Sequence, residues 1–391
     1  MKWEKVKLGK YVEILSGFAF KSKDFLNCGV PVIKIKNITQ EGVTLEDVSY
    51  ISKELADKNE KYHLHYNDIL IALTGSHINQ MSSVVGRIAR IKYHEDSLLN
   101  QRVGKVFAKD SKLCDIDYVY YFLSQDYIKI SLASKAGGAA NQANISPNDV
   151  KSLTVRWPDI ETQHRIADIL SAYDDLIENN QKQIKLLEEA AQRLYKKWFV
   201  DLRFPGHENT KIVDGVPEGW HRGTIGQIAE FKRGRTITKA QVKGGNVPVI
   251  AGGLEPAYYH NVANTKAPVI TISASGANAG FVRLYGVDVF ASDCSFVDGL
   301  GTESLFFVYE FLKESKVSID QLQKGSAQPH VYAKDINAMK ITIPEKEYLE
   351  RFDRYAKVYF NKIKTLQGQN ERLKTARDLL LPKLMLSLIH I

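Results

Sequence analysis

The sequence predicts an α+β (mixed α/β) chain: two similar globular domains separated by two long antiparallel coiled-coil helices, with an internal pseudo-two-fold repeat. Three observations carry this prediction. Trp3, Leu8, Gly9, Glu13 and Gly17 recur as Trp220, Ile225, Gly226, Glu230 and Gly234, and Val30-Pro31-Val32-Ile33 recurs as Val247-Pro248-Val249-Ile250, all at an offset of 217. Later blocks recur at an offset of 186: Gln142, Asp149, Leu153, Val155 and Pro158 match Gln328, Asp335, Met339, Ile341 and Pro344. Each repeat then changes from short apolar or alternating runs to a sustained heptad pattern, which is the change from strand to helix periodicity.

In chain order, residues 1–158 form the first globular domain. Within it, Asn67 to Thr74 is an apolar run closed by Gly75, and Val85-Gly86-Arg87-Ile88 starts a second strand. Tyr118 to Ala133 reads as one helix covering the sheet, and Gly137 to Ser146 as a polar turn before a last strand, Leu153 to Trp157. Residues 159–203 form the first long helix, with Ile166, Tyr173, Asn180, Leu187 and Leu194 seven apart and Leu170, Ile177, Ile184, Ala191 and Trp198 four later. Residues 204–217 hold Pro205, Gly206, Gly215 and Pro217 and read as a linker. The second domain, 218–344, repeats the strand plan with Pro268 to Ser275 and Ala279 to Arg283, and its connecting loop is shorter. Residues 345–391 form the second long helix, with Phe352, Tyr359, Leu366, Leu373 and Leu380 in one seam row and Ala356, Ile363, Asn370, Arg377 and Leu384 in the other. Pro382 is expected to bend or end it.

Each seam contains one amide, Asn180 in the first and Asn370 in the second. A buried amide without a partner costs about 1–3 kcal/mol, so the two are expected to face each other. That register also sets Ile184 against Leu366, and it runs the helices antiparallel, as a closed two-fold arrangement requires.

Composition narrows the function classes. Lys plus Arg number 53 against 45 for Asp plus Glu, a formal charge of +8 that favours a polyanionic partner. Cys28, Cys114 and Cys294 are odd in number and far apart, which excludes a disulfide framework and a CxxC metal site and suits a reducing cytoplasm. No apolar run is long enough for a membrane span, and the N-terminal residues have no signal-like apolar region. There is no phosphate-binding loop, no dinucleotide fingerprint and no Asn-Pro-Pro-aromatic motif of amino-methyltransferases. His63-x-His65 lacks a third ligand at close spacing, and Pro158-Asp159 with Glu161 lacks the spacing and lysine of a nuclease core. No catalytic residue, metal site or cofactor is therefore expected.

What remains is recognition. A two-copy repeat imitates a two-fold dimer, and two-fold DNA readers place equivalent modules on two half-sites. Ser76, His77, Asn79, Gln80, Asn278, Gln328 and His330 supply donors and acceptors for base edges, while Lys21, Lys23, Arg87, Arg233, Arg235, Lys239 and Lys243 can neutralise phosphates. The competing readings are a coiled-coil scaffold that binds protein only and an uncharacterised DNA-processing enzyme.

The domain–helix–domain–helix order, the opening Trp-x5-Gly blocks, the Val-Pro-Val-Ile blocks, Asn144-Ile145-Ser146-Pro147 and the joint PDIETQHRIADIL (158–170) together resemble the specificity subunit of type I restriction–modification systems. The leucine-rich helix ends KLLEEAAQRLYKKWF and ERLKTARDLLLPKLM strengthen the likeness, which covers almost the whole chain. The resemblance implies that each globular part is a target recognition domain binding one half of a split double-stranded DNA sequence. It also implies that the helices act as spacer and dock two modification (methyltransferase) subunits, with restriction (motor-nuclease) subunits joining in the full complex.

Overall fold

Short β-rich runs punctuated by glycine fold as paired strands, and the heptad segments fold as long helices. The computed structural model describes residues 3–76, 84–136, 142–325 and 328–388. They form two compact units, residues 1–177 with 372–391 and residues 178–371, so each long helix contributes to both.

In the first unit β1 (Glu4–Lys7) pairs with β12 (Thr154–Trp157). An antiparallel sheet has the order β2 (Val12–Ser16), β10 (Val103–Ala108), β6 (Ile69–Ala72), β8 (Ile88–Arg90). A second sheet has the order β4 (Ser49–Ile51), β3 (Val30–Ile33), β9 (Ser97–Leu99), β5 (His63–Leu64). β7 (Thr74–Ser76) pairs with β11 (Gln142–Asn144). The helices are α1 (Lys53–Asp57), α2 (Ile116–Leu123), α3 (Asp126–Ser134), α4 (Pro147–Lys151) and α5 (Ile160–Tyr195). Ser146 accepts from the Asp149 N–H and Asp149 accepts from the Ser146 N–H, a reciprocal cap that starts α4. The polar turn expected there is thus a strand, β11, followed by a capped helix, and its residues 137–141 lie outside the described ones.

The second unit repeats this pairing after a small hairpin of β13 (Ile212–Val213) and β14 (Val216–Pro217). β15 (His221–Thr224) pairs with β23 (Lys340–Ile343), as β1 does with β12. The antiparallel sheet has the order β16 (Lys232–Arg233), β22 (Cys294–Asp298), β19 (Val269–Ser273), β20 (Val282–Tyr285), and β17 (Val247–Ile250) lies between β18 (Tyr258–His260) and β21 (Phe290–Ala291). In both units one neighbour of the Val-Pro-Val-Ile strand is parallel and the other antiparallel. The remaining helices are α6 (Leu305–Glu314), α7 (Lys316–Gln321), α8 (Ala333–Asn337) and α9 (Lys346–Met385).

The recurring glycines have a steric cause. A Cβ on Gly17 would lie 2.1 Å from the Asn100 carbonyl oxygen, and one on Gly234 would lie 2.3 Å from that of Ser292. At both places the backbone crosses a neighbouring strand too closely for any side chain.

Both long helices close the cores. In the first unit Ile14, Ile71 and Val106 of the sheet pack with Tyr118, Leu132, Ile166 and Leu170 and with Leu384 of α9. In the second, Ile270, Ile272 and Phe307 pack with Tyr195, Trp198, Phe352 and Ala356. Every residue of the two expected seam rows is buried or half-buried. Within the second unit Asn180 Nδ2 donates to Asn370 Oδ1 at 2.8 Å, and the Trp198 and Phe352 rings lie 6.1 Å apart. Rising numbers on α5 meet falling numbers on α9, so the pair is antiparallel there. Within the first unit Arg377 donates to Asp174 at 2.6 Å in the same sense, and Tyr121 Oη donates to the other Asp174 oxygen at 2.6 Å.

Four expectations need correction. Tyr118 to Ala133 is two helices, because Gln125 turns to extended backbone and its buried side chain donates to the Phe122 carbonyl at 3.1 Å. The first long helix does not stay α-helical to 203: α5 ends at Tyr195 and a widened π-helical turn, Lys196–Val200, follows. That turn places Trp198 and Phe199 together in the aromatic cluster around Phe352. Residues 204–217 are more than a tether, since Phe204 is fully buried with its ring 4.7 Å from Trp220 and 4.9 Å from Tyr348. Finally, α9 continues through Pro382 to Met385, because a proline so near the end forfeits only one late helical bond.

The amide layer is testable by denaturation. Asn180→Leu removes the bond to the Asn370 side-chain oxygen and should cost about 1–3 kcal/mol, whereas Asn180→Leu with Asn370→Leu should recover most of that loss. A second measurement concerns pH. Glu310 is buried on α6, and burial, reinforced by Glu188 and Glu314 and opposed by Lys313, pushes its carboxyl up to about 8. Its folded pKa lies above the ordinary value of 4.5, so the folded state holds an extra proton between these limits and this contribution to stability falls as pH rises from about 4.5 through 8. Glu310→Gln should flatten that slope in unfolding curves recorded from pH 5 to 9.

Candidate nucleic-acid interface

The candidate side chains sit near the places where strands end at glycines. Lys21 and Lys23 are exposed around a single 3-10 turn, Ser22–Asp24, just after Gly17. In the second unit the equivalent stretch has the same length and is more basic. Arg233, Arg235, Lys239 and Lys243 are all exposed, and no acidic residue occurs from 231 to 254. Arg233 Nη2 lies 3.7 Å from Asp293, and the Arg235 N–H is held by the Ala291 carbonyl at 2.9 Å, which fixes the path of the segment.

Arg87 is placed differently. It is half-buried, its Nη1 donates to the Ile38 carbonyl at 3.2 Å, and burial lowers its pKa. That bond ties the β6–β8 turn to the segment between β3 and β4.

The loop after β7 was expected to contribute Ser76, His77, Asn79 and Gln80. Ser76 ends β7, and His77, Asn79 and Gln80 lie outside the described residues. In the second unit Asn278 is half-buried and donates to the Gly252 carbonyl at 3.4 Å, and Gln328 is exposed. His330 bridges to Ser275 and Lys324 through its backbone, with its ring 6.1 Å from that of Tyr332.

Three residues that were not among the expected contacts join this region. Arg102 is exposed, with Nη1 3.4 Å from both Thr74 Oγ1 and Asn144 Oδ1. Asn144 is half-buried and accepts from the Thr74 hydroxyl at 2.8 Å, and Asp293 accepts from the Ser275 hydroxyl. Asn144 could have been found, because it lies at the 186 offset from His330. Arg102 and Asp293 could not, because they differ in type and lie at another offset.

His63 is structural: Nδ1 lies 2.7 Å from Asp96 and Nε2 3.2 Å from the Ala56 carbonyl. Among the described residues no His, Cys, Asp and Glu group is arranged to hold a metal, and no helix is long and apolar enough to cross a membrane.

The duplicated frame has a counterpart among known proteins. The family described as type I restriction modification DNA specificity domain matches residues 1–189 and again 217–375. The chain belongs to that family. It is similar to the MjaX putative specificity subunit of Methanocaldococcus jannaschii, at 24% identity over all of this chain and 94% of that one. It is also similar to the MjaIX specificity subunit of the same organism, at 26% identity over 73% of this chain and 71% of that one. The crystal structure of a type I restriction–modification S subunit from M. genitalium shares the fold, with a TM-score of 0.61 at 19% identity over 98% of this chain and 96% of that chain. The protein is thus a type I specificity subunit with two DNA-recognition domains, the non-catalytic recognition component of its system.

The geometry separates Arg87 from the exposed cations. Arg87→Ala should lower thermal stability by about 1–3 kcal/mol through loss of a charged hydrogen bond. It should leave the salt dependence of DNA affinity unchanged, as measured on the subunit assembled with its partners.

Proposed function

We propose that each globular unit of this specificity subunit reads one half of a bipartite double-stranded DNA target, while the long helices set the spacing and dock two modification (methyltransferase) subunits. Restriction (motor-nuclease) subunits join when cleavage occurs, and the complex acts in the cytoplasm. The functional segments are 1–158 and 218–344 for recognition, 159–203 and 345–391 for spacing, and 204–217 as the joint. One observation carries this reading: the same strand frame occurs twice with the same pairing pattern, yet its glycine-bounded edges carry different polar side chains. A frame held by backbone bonds with interchangeable edges suits two modules that read different sequences.

Lys21, Lys23, Arg233, Arg235, Lys239 and Lys243 are the phosphate contacts in this reading. Ser76, His77, Asn79, Gln80, Asn278, Gln328 and His330 are the base contacts in the same reading. Phosphate neutralisation releases counterions, so log K should fall linearly with log salt. Lys239→Ala and Lys243→Ala should each weaken binding evenly across sequences and reduce that slope by about 1. Exchange of residues 218–344 for the corresponding domain of a relative should change one half of the methylated motif in cells carrying the complete system. A change in both halves, or affinity indifferent to salt and sequence, would rule out the modular reading.

A further inference from the structure

The two units hold one polar site in the same backbone register with different side chains. In the first unit the Leu73 N–H donates to the Arg102 carbonyl at 3.0 Å, and the Leu73 carbonyl accepts from the Ile145 N–H at 2.9 Å. In the second, the Ala274 N–H donates to the Asp293 carbonyl at 3.2 Å, and the Ala274 carbonyl accepts from the Val331 N–H at 3.0 Å. The neighbouring pairs follow: Thr74 lies opposite Asn144, and Ser275 opposite His330. Both sites precede a glycine, Gly75 or Gly276. Position by position, Thr74, Arg102 and Asn144 of one unit therefore correspond to Ser275, Asp293 and His330 of the other.

The hydroxyl position is constant in chemistry and the other two are not. In the first unit the Thr74 hydroxyl donates to Asn144, whose oxygen also faces Arg102 at 3.4 Å. Arg102 has no ion-pair partner among the described residues, and contacts of 3.4 Å aim its guanidinium without saturating its five donors. In the second unit the Ser275 hydroxyl donates to Asp293, and Arg233 lies 3.7 Å away on the carboxylate's other oxygen. A carboxylate offers about four acceptor sites, so capacity for an amino donor remains. A fork of donors at one position and an acceptor at its equivalent are the complements of a guanine edge and a cytosine amino group.

We propose that this position determines specificity in each half-site: Arg102 donates to the O6 and N7 edge of a guanine, and Asp293 accepts from the N4 amino group of a cytosine. Thr74, Asn144 and Ser275 are positioning residues. The proposal rests on the DNA-reading function above and names the bases that this function leaves open.

The test is methylome mapping in cells carrying the intact system, with wild-type, Arg102→Ala, Arg102→Lys and Asp293→Asn subunits. Arg102→Ala should relax one G·C position in one half of the motif, cutting discrimination there by roughly tenfold to a hundredfold, and leave the other half unchanged. Arg102→Lys keeps the charge and loses the fork, so it should keep methylation and lose discrimination at that same position. It therefore decides the matter if the alanine variant fails to assemble. Asp293→Asn should relax one position in the opposite half only. Unaltered motifs, or an even loss of methylation at all sites, would overturn the assignment of these bases. A wild-type complex that methylates without any bipartite motif would instead sink the DNA-reading function itself.

Discussion

The register of the antiparallel helix pair is the constraint on which both units depend. Asn180 and Asn370 are the amides of their seams, and both are buried in the hydrogen bond that joins them. A slip of one heptad would move one helix by about 10.5 Å along the other and part the two amides, setting Asn180 against Ile363 or Arg377 and Asn370 against Tyr173 or Leu187. The damage would extend beyond the seam. The first core needs Ile166 and Leu170 from α5 together with Leu384 and Met385 from α9, and the second needs Tyr195 and Trp198 together with Phe352 and Ala356. One polar layer thus selects the alignment from which both cores are filled. The Asp174–Arg377 pair, held also by Tyr121, favours the same alignment from within the first unit.

Duplication fixed the frame and left its supports free to differ. At the helix that covers each sheet, the exposed first-turn N–H groups need acceptors. In the first unit Asp115 provides one from the position just before α2, taking the Asp117 and Tyr118 N–H groups at 2.7 and 3.3 Å. In the second unit Ser304 gives no such bond. Asp353 reaches across from α9 instead, accepting from Phe306 and Phe307 at 3.2 and 2.9 Å. Burial pushes the Asp353 carboxyl up to about 7 despite those two donors. The same requirement is met by a local residue in one copy and a distant one in the other.

This contrast explains what was legible in the sequence. The repeat, the two heptad seams and the meeting of their amides could be read because each rests on spacing along the chain, which periodicity reports. The break at Gln125 could not, because an apolar run containing a glutamine resembles a helix until that side chain is seen buried on the Phe122 carbonyl. Phe204 was hidden among the prolines and glycines of an apparent linker, where nothing local reveals that Trp220 and Tyr348 enclose it. The sequence offered loop amides and cations as the candidate interface by residue type alone. The correspondence of Arg102 with Asp293 needed the strand register, since unlike residues at an uneven offset leave no trace of equivalence.

The backbone bonding at that position has a consequence for how specificity can vary. Leu73 and Ala274 are each clamped by two main-chain hydrogen bonds, and these are indifferent to the side chains of residues 102, 144, 293 and 330. Exchanging an arginine for an aspartate there removes no frame bond, whereas the same exchange at Arg87 would break its bond to the Ile38 carbonyl and strand a buried acceptor. A recognition surface built on such clamps can alter its donors and acceptors at little cost in stability. A surface built on side-chain bonds could not. The distinction sorts polar residues near the strand ends into those that hold the frame and those free to meet a ligand, and it puts Arg87 in the first group and Arg102 in the second.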